Sequence, residues 1–330
     1  MTATEQHAFA ALGPEDILDA VEYAGYHCDG HLFALNSYEN RVYQVGIENS
    51  PPLIAKFYRP QRWSDQAILE EHAFALQLAE LEIPVVPPLS AETGATLLHH
   101  GSFRFALFLR HAGGAPALDR SDHLEQLGRF LGRLHNVGAT RPFRFRPQLD
   151  IETFAVDSCQ YLLEAGFVPV ELEQAYRSLA EDLLVRIRAC YERAGPLELI
   201  RLHGDCHPGN ILWNESGPVI VDLDDARTGP VIQDLWMFLS GDRHDMTGAL
   251  ADLLAGYTQF REFNARELNL IEALRTLRMM HYAAWLARRW QDPAFPRAFP
   301  WFNTARYWDE HILSLREQAA LLEEPPLVWE

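Results

Sequence analysis

The sequence has few cysteines, fewer basic than acidic residues and no long apolar run. Its four cysteines lie far apart and form no CxxC pair, so we interpret them as reduced thiols rather than as a disulfide framework. No stretch approaches the roughly 20 apolar residues that span a bilayer, and the N-terminal segment does not resemble a signal peptide. These absences predict a soluble protein of the cytoplasm.

The charge balance excludes several classes of partner. Basic residues number 28 against 46 acidic residues, which gives a net charge of −18. General binding of nucleic acids or of anionic membrane surfaces would require clustered Lys and Arg, so neither is expected. A polyanion can still bind locally where Mg²⁺ and a few cations neutralise it. The 330 residues are enough for two domains with sizeable cores.

Hydrophobic periodicity divides the chain into a first third rich in strands and a remainder that is mostly helical. The segments LFALNSYENRVYQVGI, LIAKFYR and FRFALFLRHA alternate as strands do, and Ser64 is a candidate N-cap for one inserted helix. Beyond Ser121 helical patterns dominate, and one strand-like region around HGDCHPGN interrupts them.

This pattern predicts an α+β protein of two lobes. A small mixed β-sheet lobe at residues 1–111 would be followed by a hinge at residues 112–120. Residues 121–330 would form a larger, mainly helical lobe that contains the strand-like region.

The motif with the most specific spacing is HGDCHPGN, residues 203–210, followed by Asp222 in the apolar segment VIVDLDD. Phosphoryl transfer from ATP requires a carboxylate that positions the acceptor hydroxyl and takes its proton, and oxygen ligands that hold Mg²⁺. Protein-kinase catalytic loops have an Asp, an Asn five positions later, and a further Asp at the end of an apolar strand. Asp205, Asn210 and Asp222 have this arrangement and are therefore candidates for this chemistry.

Other interpretations of the same loop are weaker. Its Asp and Asn could be turn residues, but their joint spacing with Asp222 opposes that. His203 and His207 are four residues apart, yet the Pro-Gly pair that follows opposes a helix, so a structural role for His203 is favoured over zinc binding. Cys206 has no identifiable activating partner and is interpreted as inert.

Lys56 interrupts the apolar run LIAKFY, where an ammonium group is costly to bury unless an anion meets it. In kinase-like folds a strand-borne lysine meets the α- and β-phosphates of ATP and pairs with a glutamate on the following helix. Glu70 and Glu71 are the candidates for that glutamate, and Glu71 is preferred. The alternative, a lysine that protects an edge strand from aggregation, is less favoured once the HGD loop is considered.

The turn that would cover the nucleotide differs from the glycine-rich loop of protein kinases. Residues 36–40 read NSYEN and contain no glycine, so backbone amides and the side chains of Ser37 and Asn40 are the candidate phosphate donors. A plain hairpin turn is the alternative. The adenine is expected to meet backbone groups around Phe108–His111.

HGDCHPGN with IVDLDD resembles the aminoglycoside phosphotransferase and choline kinase superfamily, whose loop reads HGDxxxxN before an Asp-containing strand. Segments along nearly the whole chain are also similar to the bacterial stress-response serine/threonine protein kinases of the RdoA type. These segments include ALNSYENRVYQV, KFYRPQRW, ILEEHAFALQL, QDLWMFL and WLARRWQDPAFPRAFPW.

The resemblance implies a bilobal, protein-kinase-like fold, with residues 1–111 as the nucleotide-binding lobe and residues 121–330 as the catalytic and substrate lobe. It implies ATP as co-substrate and Mg²⁺ as cofactor. It implies that Asp205 is the catalytic base, that Asn210 and Asp222 bind Mg²⁺, and that Ser37 contacts ATP. It further implies transfer of phosphate to Ser and Thr hydroxyls of proteins, including the chain's own. A monomer is expected.

The acceptor is not specified by these motifs, since it is selected by the helical lobe. A small alcohol such as an aminoglycoside, choline, homoserine or a sugar is therefore the alternative. A nucleotide-binding pseudoenzyme is a third possibility and ranks last, because Lys56 and the three polar residues of the motif are all present.

The segment between Asp222 and Asp234 differs from the activation segment of protein kinases. Thr228 is its only residue of the Ser, Thr or Tyr type, and no A-P-E sequence ends it. We predict that activity does not require phosphorylation of this segment.

Overall fold

The structure is a computed structural model that describes residues 9–329. The strands are Cys28–Ala34 (β1), Arg41–Ile47 (β2), Ser50–Phe57 (β3), Leu98–His100 (β4), Phe103–Leu109 (β5), Leu199–Leu202 (β6), Ile211–Asn214 (β7), Gly217–Ile220 (β8) and Arg227–Pro230 (β9). The α-helices are Pro14–Tyr23 (α1), Asp65–Glu80 (α2), Ser121–Gly138 (α3), Asp157–Glu164 (α4), Val170–Ala194 (α5), Arg243–Tyr257 (α6), Ile271–Arg288 (α7), Ala294–Ala298 (α8) and Ala305–Leu321 (α9). Residues 1–8 of the predicted first lobe, and residue 330, lie outside the described part.

The chain forms two compact units, and both are assembled from separate stretches of sequence. The first unit contains the chain up to Pro116, together with Phe143–Arg146 and Pro208–Ala226. The second contains Ala117–Pro142, Pro147–His207 and the chain from Arg227 onward. The predicted continuous division, 1–111 and 121–330 about a hinge at 112–120, differs from this in two segments. Both are held by contacts that pair residues distant in sequence.

The first unit is built on an antiparallel sheet of five strands in the order β1-β2-β3-β5-β4. Its helix α1 begins with Pro14 in the first turn and packs Ile17 and Val21 against the sheet residues Phe57 and Phe105. Helix α2 begins as predicted, because Ala67 N donates to Ser64 Oγ at 3.2 Å. The sheet therefore offers one apolar face to α1.

Lys56 lies on a central strand. It is in register with Val42 of β2 and Ala106 of β5, so β3 is hydrogen-bonded on both sides. This overturns the edge-strand alternative, because a lysine on an interior strand cannot protect an exposed edge.

The hairpin of β7 and β8 belongs to the first unit although it comes late in the chain. Ile220 N donates to Pro84 O at 2.7 Å, and Val86 N donates to Ile220 O at 3.1 Å. Gly114 and Trp213 exchange backbone hydrogen bonds of 3.0 and 2.6 Å. These bonds fix the hairpin, and with it the two residues at its open end, Asn210 and Asp222.

The second unit is mainly helical. Helices α3 and α6 approach so closely that a Cβ atom at Gly128 would collide with Leu253 O and one at Gly256 with Glu125 O. Two antiparallel strands, β6 and β9, lead into the HGD loop and into a 3₁₀ turn at Val231–Asp234. Within residues 9–329, no helix is both long and apolar enough to cross a bilayer.

Candidate active site

In the second unit, the HGD loop is held by Asp234. His203 N donates to Asp234 Oδ2 and Gly204 N to Asp234 Oδ1, both at 2.8 Å. His135 Nε2 lies 3.2 Å from Asp234 Oδ2. Burial alone would raise the pKa of Asp234, but the hydrogen bond and charge of His135, and the other donors, lower it below its ordinary value. The buried carboxylate is therefore a satisfied anchor of the loop.

Further bonds fix the loop around Asp205. Gln233 Nε2 donates to Gly204 O at 2.9 Å, and Asp205 N donates to His203 Nδ1 at 3.3 Å. His203 is fully buried, as its predicted structural role requires. Because this loop backbone is bonded at successive residues, the direction of the Asp205 side chain is set by the loop.

The Asp205 carboxylate meets two cationic or polar side chains in the second unit. Arg278, from helix α7, forms a short ion pair with Asp205 Oδ1. His207 Nε2 lies 3.6 Å from Asp205 Oδ2. The Asp205 side chain remains 24% exposed, which leaves it accessible to an acceptor hydroxyl.

Cys206, next to the candidate base, is a buried free thiol. Burial raises its pKa well above the ordinary value, and the nearby charges of Asp234 and Asp205 act in the same direction. The thiol therefore stays protonated, as its interpretation as an inert residue requires.

In the first unit, Lys56 meets the carboxylates that follow β8. Its Nζ atom lies 2.8 Å from Asp222 Oδ1 and 3.3 Å from Asp224 Oδ1, and the residue is 6% exposed. Burial would lower the pKa of Lys56, but Asp222, Asp224 and Glu71 hold it well above the ordinary value. The ammonium group is therefore kept charged by the anions that the sequence analysis required for it.

Asp224 is the buried centre of this ionic cluster. It pairs with Arg62 through a short contact, and Arg62 Nη2 also donates to Asp225 Oδ1 at 2.8 Å. Burial would raise the pKa of Asp224, but Arg62 and Lys56 lower it below its ordinary value. Asp224 Oδ1 has no aligned hydrogen bond although it lies close to Lys56. Oδ2 of Asp224 is thus held by a charge-assisted hydrogen bond from Arg62, whereas its Oδ1 atom is held only by the charge of Lys56.

The two candidate glutamates on α2 have different partners. Glu70 faces the segment Phe143–Arg146 and accepts hydrogen bonds from the backbone N–H groups of residues 144–146. Glu71 is buried, and its Oε2 atom lies 3.7 Å from Arg146 Nη1. Burial raises the pKa of Glu71 to about 7, against the attraction of Lys56. Glu71 therefore attracts Lys56 electrostatically at longer range and forms no direct ion pair with it.

Asn210 and Asp222 meet at the open end of the β7–β8 hairpin. Val221 N donates to Asn210 O at 3.0 Å, which sets Asn210 opposite the residue before Asp222. Asp222 adopts φ 58°, a left-handed conformation that Asp tolerates better than most residues. Its side chain is 52% exposed, although its partner Lys56 is buried. Strain of this kind at an exposed carboxylate is typical of functional sites.

The turn at residues 36–40 is tied to the chain after β3. Arg59 N donates to Asn40 Oδ1 at 3.0 Å, so the buried Asn40 side chain anchors the turn. Glu39 Oε1 lies 3.0 Å from Arg59 Nε and 3.8 Å from Arg62 Nε. Ser37 is half-buried within the turn. Contact of Ser37 and Asn40 with ATP, and of adenine with Phe108–His111, stays a prediction.

Two arginines at these sites, Arg62 and Arg146, were missed by the sequence analysis. One signal was available, because Lys56 is the only lysine among the 28 basic residues of the chain. Because every other Lys or Arg residue of the chain is Arg, the single lysine indicates a specific need for an ammonium group at position 56. For Arg62 and Arg146 the sequence offered no such signal, since their partners are more than 70 residues away.

The residues at the end of β8 suit a divalent cation. Carboxylate and amide oxygens are the ligands that Mg²⁺ prefers, and Asp222 offers an exposed carboxylate next to the position of Asn210. The unaligned Oδ1 atom of the buried Asp224 shows that the anions here are not saturated by hydrogen bonds. Asn210 and Asp222 therefore fit the metal that the motif implied.

Comparisons with known proteins identify relatives of this chain. A model of the phosphotransferase enzyme family matches residues 32–270. The chain is 44% identical over 319 residues to stress response kinase A of Escherichia coli (strain K12), covering 97% of this chain and 96% of that protein. The same identity and coverage hold for the serine/threonine protein kinase RdoA of Salmonella typhimurium (strain LT2).

Solved structures share the fold at low sequence identity. Amicoumacin kinase, in complex with AMP-PNP, Ca²⁺ and its antibiotic, aligns with a TM-score of 0.71 at 18% identity over 94% of each chain. A microcompartment-associated aminopropanol kinase aligns with a TM-score of 0.69 at 20% identity, over 92% of this chain and 95% of that one. The predicted α+β fold of the protein-kinase-like type is confirmed.

Proposed function

The chain belongs to the phosphotransferase enzyme family, and on that premise we propose that it is an ATP- and Mg²⁺-dependent serine/threonine protein kinase. The γ-phosphate of ATP goes to serine and threonine hydroxyls, those of the chain itself included. The observation that carries the proposal is the 2.8 Å ion pair of Lys56 with Asp222. It joins the only lysine of the chain to the carboxylate of the motif, the two groups on which phosphate and metal binding would depend.

In this proposal Asp205 takes the proton of the acceptor hydroxyl. The hydroxyl oxygen forms the new bond to phosphorus, the bond from phosphorus to the bridging oxygen breaks, and ADP leaves with that electron pair. Lys56 binds the phosphates and Glu71 steadies Lys56. Asn210 and Asp222 hold Mg²⁺, which neutralises phosphate charge when bound. The protein's contribution is mainly positioning and charge stabilisation.

The protein acceptor is supported by the relatives that are 44% identical over nearly their whole length, since one is named a serine/threonine protein kinase. Others are named stress response kinases, and a role in a stress response within the cytoplasm is part of the proposal. The protein is proposed to act as a monomer.

The single lysine allows a direct test of nucleotide binding. An amine-reactive acyl-phosphate analogue of ATP can acylate only one side-chain amine in this chain. We expect mass spectrometry to find the label on Lys56 and excess Mg-ATP to prevent it, whereas excess of a nucleoside without phosphates should not. Label on the N-terminal amine alone, or label on Lys56 that ATP does not reduce, would contradict the proposed site.

The acceptor is tested with labelled ATP and Mg²⁺. The protein is incubated alone, with a serine-containing peptide, and with small alcohols that include an aminoglycoside, choline and homoserine. Label on serine or threonine supports the protein kinase, and EDTA should abolish it. Label that reaches only a small alcohol would replace the protein acceptor by that alcohol and leave the ATP site intact.

A further inference from the structure

Arg278 holds the carboxylate that the reaction needs. In the second unit its guanidinium pairs with Oδ1 of Asp205, 73 positions earlier in the chain. The Arg278 side chain is nevertheless 42% exposed, so it can turn outward without leaving a buried charge unpaired. An acceptor hydroxyl must reach the same carboxylate to deliver its proton. The acceptor and Arg278 therefore meet at Asp205.

The charge of helix α7 is opposite in sign to that of the protein as a whole. Helix α7, Ile271–Arg288, contains three arginines and one acidic residue, Glu272, in a chain of net charge −18. The exposed or half-buried positions of this helix include Arg275, Arg278 and Tyr282, spaced three and four residues apart. The exposed side of α7 near Asp205 thus presents guanidinium groups and an aromatic ring, and a guanidinium group is suited to bind a carboxylate.

The neighbouring arginines of α7 have partners that the reaction does not use. Arg275 Nε lies 3.1 Å from Glu272 Oε2, and its guanidinium lies over the Trp236 ring. Arg288 donates to Asp157 O at 3.2 Å and lies over the Tyr161 ring. Arg278 differs from both because its ionic partner is the candidate catalytic base itself.

We propose that Arg278 selects acceptors in which an acidic side chain stands beside the serine or threonine hydroxyl. The carboxylate of the acceptor binds the guanidinium of Arg278 in place of Asp205, and the Asp205 carboxylate can then bind the hydroxyl. The contact between Arg278 and Asp205 carries this inference, because it shows that the guanidinium binds a carboxylate at this point. The inference rests on the proposed protein-kinase function and names its substrate class, a serine or threonine within an acidic peptide segment.

The test compares three peptides that are identical except for the residues flanking one serine, which are Glu, Gln or Lys. For the wild type we expect kcat/KM with the Glu peptide to exceed that with the Lys peptide by about tenfold or more, the effect of one charge-assisted contact. The Arg278→Gln variant should remove this preference and Arg278→Glu should reverse it. Arg288→Gln, on the same helix with its guanidinium bound elsewhere, is the matched control and should keep the preference.

Equal kcat/KM values of the wild type for the three peptides would overturn the proposal. So would an Arg278→Gln variant that keeps the preference for the Glu peptide. A second measurement separates this failure from failure of the proposed function. The same peptides with alanine in place of serine are labelled with a fluorophore, and their binding is measured by anisotropy. If no peptide receives phosphate, the protein-kinase function is contradicted. The ratio of affinities for the Glu and Lys peptides then still tests the role of Arg278. Acid-selective binding that Arg278→Gln removes supports the role of Arg278, whereas equal binding or none excludes it.

Discussion

Two buried aspartates, Asp224 in the first unit and Asp234 in the second, are held in different ways. Both oxygens of Asp234 accept backbone N–H groups at 2.8 Å. Asp224 instead lies between Lys56 and Arg62, and one of its oxygens has no aligned hydrogen bond. Hydrogen bonds are directional and fix a position, whereas ion pairs tolerate an exchange of partners. The second unit therefore holds a rigid loop that carries the candidate base, and the first holds a charge cluster in which ionic partners can exchange.

The largest expected effect tests the catalytic role of the rigid loop. Asp205→Asn should lower the rate of phosphate transfer by about 10²- to 10⁴-fold, because an amide cannot take the proton of the hydroxyl. The free energy of unfolding should change little, since the side chain is partly exposed. Labelled-phosphate transfer, ATP affinity and thermal unfolding check this together. A folded variant that retains turnover near the wild type would remove Asp205 as the base.

The next prediction compares the two aspartates directly. Asp234→Asn should lower the free energy of unfolding by about 2–4 kcal/mol, since an amide replaces an oxygen that accepts a backbone N–H group. Asp224→Asn should cost less, because Lys56 keeps Asp222 and Arg62 keeps Asp225 as partners. Denaturant unfolding of both variants checks the order. Equal losses, or a larger loss for Asp224→Asn, would contradict the distinction between a directed and a rearrangeable site.

The stability lost in Asp234→Asn should depend on pH, in the direction set by the lowered pKa of Asp234. A carboxyl with a lowered pKa in the folded state contributes stability above its ordinary pKa, and this contribution is lost as the pH falls through the folded value. The difference in the free energy of unfolding between the wild type and Asp234→Asn should therefore be largest near neutral pH and should become smaller in acid.

Glu71 of the charge cluster should show the opposite dependence. Burial raises its pKa from 4.5 to about 7, so between these values the folded state binds more protons than the unfolded state. Its contribution to stability is present below the lower value and is lost as the pH rises through the upper one. Unfolding measured across this range should show the wild type losing stability relative to Glu71→Gln as the pH rises. A constant difference between the two proteins would mean that Glu71 is not held in this way.

The smallest expected effect concerns Thr228 in β9. Its backbone N–H donates to Pro147 O at 3.0 Å and its carbonyl accepts from Leu149 N at 2.8 Å, and a change of side chain leaves both bonds intact. Thr228→Ala should therefore transfer phosphate at the wild-type rate, measured with labelled ATP. Loss of activity in a folded Thr228→Ala protein, restored by Thr228→Ser, would show that phosphorylation of this segment matters after all.

Local patterns predicted those parts of the protein that depend on neighbours in sequence. The cap at Ser64 and the helix that follows it were predictable, because an N-cap involves residues only three positions apart. The division into units was predicted only in outline, since Phe143–Arg146 and the β7–β8 hairpin join the first unit through contacts with distant segments. The ion pairs of Arg62 and Arg278 also join residues distant in sequence, and no spacing rule predicts such a partner for an arginine.

The sequence by itself predicted phosphoryl transfer, because the Asp, Asn and Asp of the motif and one lysine are the residue types that this chemistry needs. Only the tertiary structure decided how each charge is held. Burial and the nearest opposite charge set the environment of a carboxylate, and both depend on residues that the fold brings together. That is why Glu71 and Asp234, both buried acids, have pKa values shifted in opposite directions.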